Sequence, residues 1–91
     1  MTSFIIGDIV VTVEIEYCSP CKYLPLALRH AEQLLNEFGQ DISVLKLVPG
    51  DHGVYDIRVG GKLIYSTVKV MKFHDYEVIQ RAVKRALKSR A

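Results

Sequence analysis

The 91 residues include only two cysteines, Cys18 and Cys21, so no disulfide framework staples this fold. A bridge between them closes a very short loop and constrains the unfolded chain little, because structural disulfides stabilise mainly by closing longer ones. No uninterrupted apolar run reaches the roughly 18 residues that a membrane span needs. The opening Met1-Thr2-Ser3-Phe4-Ile5-Ile6-Gly7-Asp8 lacks the basic flank and long apolar stretch of a secretory signal. A soluble, cytoplasmic protein is expected, in a compartment where paired thiols mean redox work or metal binding rather than scaffolding. A strong charge of one sign is also missing. The net charge of +2 is too small to imply nucleic acid. Repeats, low-complexity tracts and linkers are absent, and the length leaves no room for a second domain. Residues 1–91 are expected to form a single domain with one modest core.

What is present is an ordinary globular composition, 49% hydrophobic and 24% charged, with clear periodicities. From Val10 to Tyr17, Val11, Val13, Ile15 and Tyr17 alternate with Val10, Thr12, Glu14 and Glu16, which predicts a half-buried strand. From about the second cysteine the spacing becomes helical through Ala27, Leu28, Ala31, Leu34, Leu35 and Phe38, with Pro25 in the first turns and Gly39 as C-cap. Ile42 to Val48 predicts a second strand, parallel to the first through a right-handed crossover. Pro49 to Gly53 reads as a loop. Val54–Val59 and Lys62 to about Val68 flank Gly60-Gly61, a hairpin turn that sets Ile57 opposite Ile64 and Asp56 opposite Tyr65. A final helix starts near Asp75 as N-cap and buries Ile79, Ala82, Val83, Ala86 and Leu87. Its Arg81, Lys84, Arg85 and Lys88, with Arg90 beyond, read as a solvated face and a cationic carboxyl end that suits the helix dipole.

The order is therefore β-α-β-β-β-α: an α/β fold with a mixed four-stranded sheet and two helices, which resembles the thioredoxin-like two-layer sandwich. With both helices on one face, the other face is open and suits Glu14, Glu16 and Lys46. Val10, Leu63 and Tyr65 are expected on that open face, a candidate surface for a client or a weak homodimer.

Cys18-Ser19-Pro20-Cys21 falls at the first strand-to-helix junction. A cysteine at a helix N-terminus has its thiolate favoured by unpaired N–H groups and the positive end of the dipole, which lowers its pKa from about 8.5. The other thiol of the pair then resolves a mixed disulfide. Pro20 stiffens the turn and Lys22 adds a cation. The chemistry expected is thiol–disulfide exchange or peroxide reduction by Cys18 and Cys21. A zinc module is the metal alternative, with only His30, His52 and His74 to complete a tetrahedral set. His30 is expected on the surface of the first helix, His52 in the loop near the active turn, and His74 in a loop.

Further segments share a pattern. Val13 through Pro25, Leu34 to Phe38, Pro49-Gly50, Gly53 to Ile57 and Gly60 to Ser66 together resemble the selenoprotein W/T/H (Rdx) family over roughly residues 10 to 87. The resemblance implies a thioredoxin-like oxidoreductase fold, a redox-active pair at Cys18 and Cys21, and glutathione-linked or antioxidant chemistry. No resident cofactor is implied. Partners would be glutathione or a protein thiol or disulfide client. Selenoprotein members carry selenocysteine at the position of Cys21, whereas thioredoxins attack with the cysteine corresponding to Cys18, so both roles stay open. Relatives tend to have glycine where His52 stands and often proline where His74 stands. The competing reading is a non-catalytic, redox-switched protein-binding module; nucleic-acid binding by the basic last helix ranks below it.

Overall fold

Strand β1, Thr12–Cys18, is paired along both edges, and the rest of the chain is arranged around it. In the computed structural model, which describes residues 10–67 and 76–89, β1 is followed by helix α1 (Leu24–Phe38), strands β2 (Val44–Gly50), β3 (Tyr55–Val59) and β4 (Lys62–Ser66), and helix α2 (Tyr76–Ser89). The sheet order is β2-β1-β3-β4. β2 is parallel to β1, and the other two pairings are antiparallel. This is the expected mixed four-stranded sheet with two helices.

The alternation of β1 sends Val13, Ile15 and Tyr17 into the core, where they meet Ile57 and Tyr55 of β3, Ala27, Leu34 and Phe38 of α1, and Ile79 and Val83 of α2. Burying each large apolar side chain contributes about 1.5–3 kcal/mol. The opposite face is charged. Arg58 donates to Glu14 at 3.4 Å and Glu16 at 3.3 Å, and its guanidinium lies 3.8 Å from Asp56. Lys46 lies 3.9 Å from Glu14.

Several expectations are corrected. β2 runs two residues further than the expected Val48, to include Pro49 and Gly50. Pro49 is tolerated there because, among the described residues, β2 has a neighbouring strand on one side only. Gly60 and Gly61 do take positive φ values, 61° and 85°, as the hairpin requires. Past that turn, however, the register shifts: Arg58 pairs with Leu63, but Ile57 pairs with Tyr65 and Asp56 with Ser66. Ile64 is the extra residue of a β-bulge, which turns Tyr65 into the core opposite Ile57. Leu63 stays exposed, so of the apolar residues expected on the open face Tyr65 is withdrawn. Gly39 is right-handed, at φ −56°, so it is not a left-handed cap. It accommodates a close approach instead, since a Cβ there would collide with the Leu35 carbonyl oxygen.

The buried face of α1 also differs from the apolar pattern. Ala27, His30, Ala31, Leu34 and Phe38 are buried, whereas Leu28 and Leu35 are exposed. The last helix buries Ile79 and Val83 fully and Ala82, Ala86 and Leu87 in part. Val68, His74, Asp75 and Arg90 lie outside the described residues.

A polar clamp ties the two helices together. Tyr76 Oη and Gln80 Nε2 donate to the Glu37 carboxylate at 2.8 and 2.7 Å. These bonds, with the nearby Lys84 charge, hold Glu37 below its ordinary 4.5. The same contact raises Tyr76, whose largest cause is burial. A carboxylate with a depressed folded value stabilises the fold above its unfolded value and ceases to as pH falls through the folded one. Urea midpoints measured from about pH 6 to about pH 3 should therefore hold steady, then fall below about 4.5, and Glu37→Gln should flatten part of that fall.

Candidate redox site

Cys18 is the last residue of β1, and four residues separate it from the N-cap Tyr23. The chain reverses within that space. Ser19 N donates to Gly50 O at 2.9 Å, Lys22 N to Ser19 O at 3.0 Å, and Tyr23 N to Cys18 O at 3.3 Å. Lys22 takes φ 64°, a left-handed conformation that costs a non-glycine residue roughly 1–2 kcal/mol. Cys18 and Cys21 are joined by a disulfide, with their Cα atoms 5.3 Å apart.

Two expectations about these sulfurs change. Helix α1 begins at Leu24 rather than at the second cysteine, with Pro25 in its first turn and no side-chain cap. Both sulfurs therefore precede the first turn, and the dipole's influence, which falls off within a turn, is weaker than the sequence suggested. The first cysteine of such a motif is expected to be the more exposed, and the reverse holds: Cys18 is fully buried and Cys21 is exposed. The cause is the strand. Cys18 still pairs with Gly50 in the sheet, whereas Cys21 has left it for the turn.

The end of β2 adjoins the motif. Gly50 lies beside Cys18, and a Cβ on it would come within 2.9 Å of both a Glu16 carboxylate oxygen and Val54 Cγ1. Gly50 thus gives room to Glu16 and Val54 where the sheet meets the turn. His52 stands in the loop after β2 with φ 57° and a highly exposed ring whose Nδ1 donates to Asp51 Oδ1 at 2.8 Å.

His30 is not on the surface. It is 2% exposed, and a 2.7 Å hydrogen bond joins its Nδ1 to the Tyr55 hydroxyl. Tyr55 also packs edge-on against Tyr23, with ring centroids 6.2 Å apart, and pairs with Tyr17 across the sheet. Burial, and then the neighbouring Tyr65, raise the Tyr55 phenol, so its hydroxyl stays protonated. This aromatic cluster fixes Tyr23, the residue on which the turn closes. Sequence reasoning missed it, although His30 shares a helical face with Ala27 and Leu34. Among the described residues no three His, Cys, Asp or Glu side chains gather as a metal site. Nor, among them, is any helix long and apolar enough to cross a membrane.

The Rdx family model matches residues 12–85. The chain belongs to the Rdx family. Two solved structures share the fold of this Rdx protein. One is a protein from Bordetella parapertussis, 29% identical, with a TM-score of 0.80 over 86% of this chain and 99% of its own. The other is a selenoprotein W-related protein from Vibrio cholerae, 23% identical, with a TM-score of 0.80 over 87% of this chain and 99% of its own. No curated protein matches the sequence.

If the His30–Tyr55 bond anchors the turn from below, Tyr55→Phe should lower the free energy of unfolding by about 1–3 kcal/mol, since it takes a partner from a buried polar group. Urea denaturation of both forms measures it.

Proposed function

We propose that this Rdx protein is a small thiol–disulfide oxidoreductase in which Cys21 attacks and Cys18 resolves. The observation that carries the reading is the difference between the two sulfurs: they are close enough to be joined, yet only Cys21 is exposed. Membership of the Rdx family supports it.

In the reduced protein, the Cys21 thiolate attacks one sulfur of a client disulfide. That S–S bond breaks, the first client sulfur leaves as a thiolate, and a mixed disulfide forms on Cys21. Cys18 then loses its proton and attacks Cys21 Sγ, releasing the second client sulfur and closing the Cys18–Cys21 bond. Two electrons have passed from the protein to the client. Two glutathione thiols restore the dithiol and leave as glutathione disulfide. A thiolate is the required nucleophile, and Lys22, one residue beyond Cys21, supplies a cation that favours it.

Titration against defined ratios of reduced and oxidised glutathione, with thiol trapping and mass spectrometry, tests the proposal. A two-electron transition between about −120 and −270 mV is expected, in the range of known oxidoreductases. Cys18→Ser should accumulate a glutathione adduct on Cys21, and Cys21→Ser should accumulate little on the buried Cys18. A pair that stays reduced throughout would overturn the oxidoreductase. An adduct formed preferentially on Cys18 would reverse the two roles.

A further inference from the structure

We infer that Glu16 is the proton acceptor for the Cys18 thiol as it closes the disulfide onto Cys21. This role rests on the oxidoreductase proposed for the two cysteines and supplies what its second step requires. Cys18 has to lose a proton to attack, yet its side chain is 0% exposed. A thiol buried in this way ionises reluctantly and has little solvent to take the proton.

Glu16 stands two residues before Cys18 on β1, so both side chains leave the same face of the sheet. Its side chain leans along the strand toward the motif. Gly50 is the direct partner of Cys18, and a Cβ on Gly50 would stand 2.9 Å from Glu16 Oε2 and 3.2 Å from Glu16 Cγ. Since paired strands lie about 4.8 Å apart, the carboxylate is about one strand spacing from the Cys18 side chain. A rotation of Glu16 or one bridging water closes that gap. Val54 Cγ1 comes within 2.9 Å of the same point, so an acidic and an apolar side chain meet beside the sulfur. The missing side chain of Gly50 admits them both.

The charges around Glu16 leave it able to accept a proton. Arg58 Nη1 lies 3.3 Å from Oε1, while Oε2 takes no hydrogen bond among the described residues. The same Arg58 nitrogen is shared with Glu14 at 3.4 Å, and the other terminal nitrogen lies 3.8 Å from Asp56. Lys46 on β2 approaches Glu14 rather than Glu16. Three carboxylates thus divide one guanidinium and one ammonium between them, and Lys22 follows Cys21 in the turn.

In the step itself, the S–H bond of Cys18 breaks and the proton moves to Glu16 Oε2. The sulfur's electron pair forms the bond to Cys21 Sγ, the bond from Cys21 to the client sulfur breaks, and that sulfur leaves as a thiolate. The thiolate or water then takes the proton from Glu16 and restores the carboxylate. The client disulfide is the only oxidant the step needs.

A proton acceptor and a merely electrostatic neighbour differ in sign. Removing a negative charge from beside Cys18 would ease ionisation of its thiol and speed closure, whereas removing the acceptor slows it. Reduced protein is mixed with oxidised glutathione and quenched in acid at intervals, and the mixed and the closed disulfides are followed by mass spectrometry. At about pH 7, Glu16→Gln should accumulate the mixed disulfide and close it at least about tenfold more slowly than wild type, the scale of a lost general base. The deficit should shrink as pH rises past the ordinary thiol value of about 8.5, where the thiol ionises unaided. Glu14→Gln, which takes the other carboxylate from the same Arg58 nitrogen, should close at the wild-type rate. Closure in Glu16→Gln as fast as in wild type or faster, or an equal deficit in Glu14→Gln, overturns the role of Glu16 and leaves the oxidoreductase standing. A wild-type chain that forms neither disulfide overturns both.

Discussion

Everything in this fold depends on β1 being held along both of its edges while its side chains are divided between two faces. One edge carries seven parallel partners in β2 and the other five antiparallel partners in β3. The odd residues Val13, Ile15 and Tyr17 carry the core, and the even residues Glu14 and Glu16 carry the ion pairs with Arg58. The same strand ends in Cys18. Its sulfur is therefore placed by the most constrained element in the molecule, and that explains why it is buried while Cys21, only a turn away, is not.

The turn that carries Cys21 is supported differently. It has no side-chain cap and contains a lysine in a left-handed conformation. Three backbone hydrogen bonds and the aromatic cluster of Tyr17, Tyr23, Tyr55 and His30 hold it in place. Tyr76 extends the cluster, its ring 6.0 Å from His30 and its hydroxyl on Glu37. The polar groups that link α1 to α2 thus adjoin the packing that supports the cysteine turn. A rigid scaffold beneath an exposed turn fixes where its side chains stand.

The open sheet face is an ion-pair network rather than an apolar surface. Arg58 sits among Glu14, Glu16 and Asp56, and the bulge at Ile64 removes Tyr65 to the other side. Exposed apolar side chains gather instead on α1, at Leu24, Leu28 and Leu35.

The sequence by itself determined the element order, the parallel crossover, the Gly60-Gly61 hairpin, the split of β1 into core and charged faces, and the pairing of the two cysteines at the first strand-to-helix junction. Each of these rests on local signals: a period of two or of about 3.6, a turn that glycine alone permits without strain, and a motif spacing. The resemblance to the Rdx family was legible because separated segments matched together. What only the tertiary structure decided was relational. Burial of Tyr65 against Ile57 favoured a bulge that no local pattern announces. His30 is buried because β3 supplies Tyr55 as its partner, at a sequence separation that helical periodicity cannot see. Leu28 and Leu35 are apolar yet exposed because α2 lies against the other flank of α1. And Cys18 is buried while Cys21 is exposed because pairing with Gly50 extends the sheet up to the first sulfur and no further.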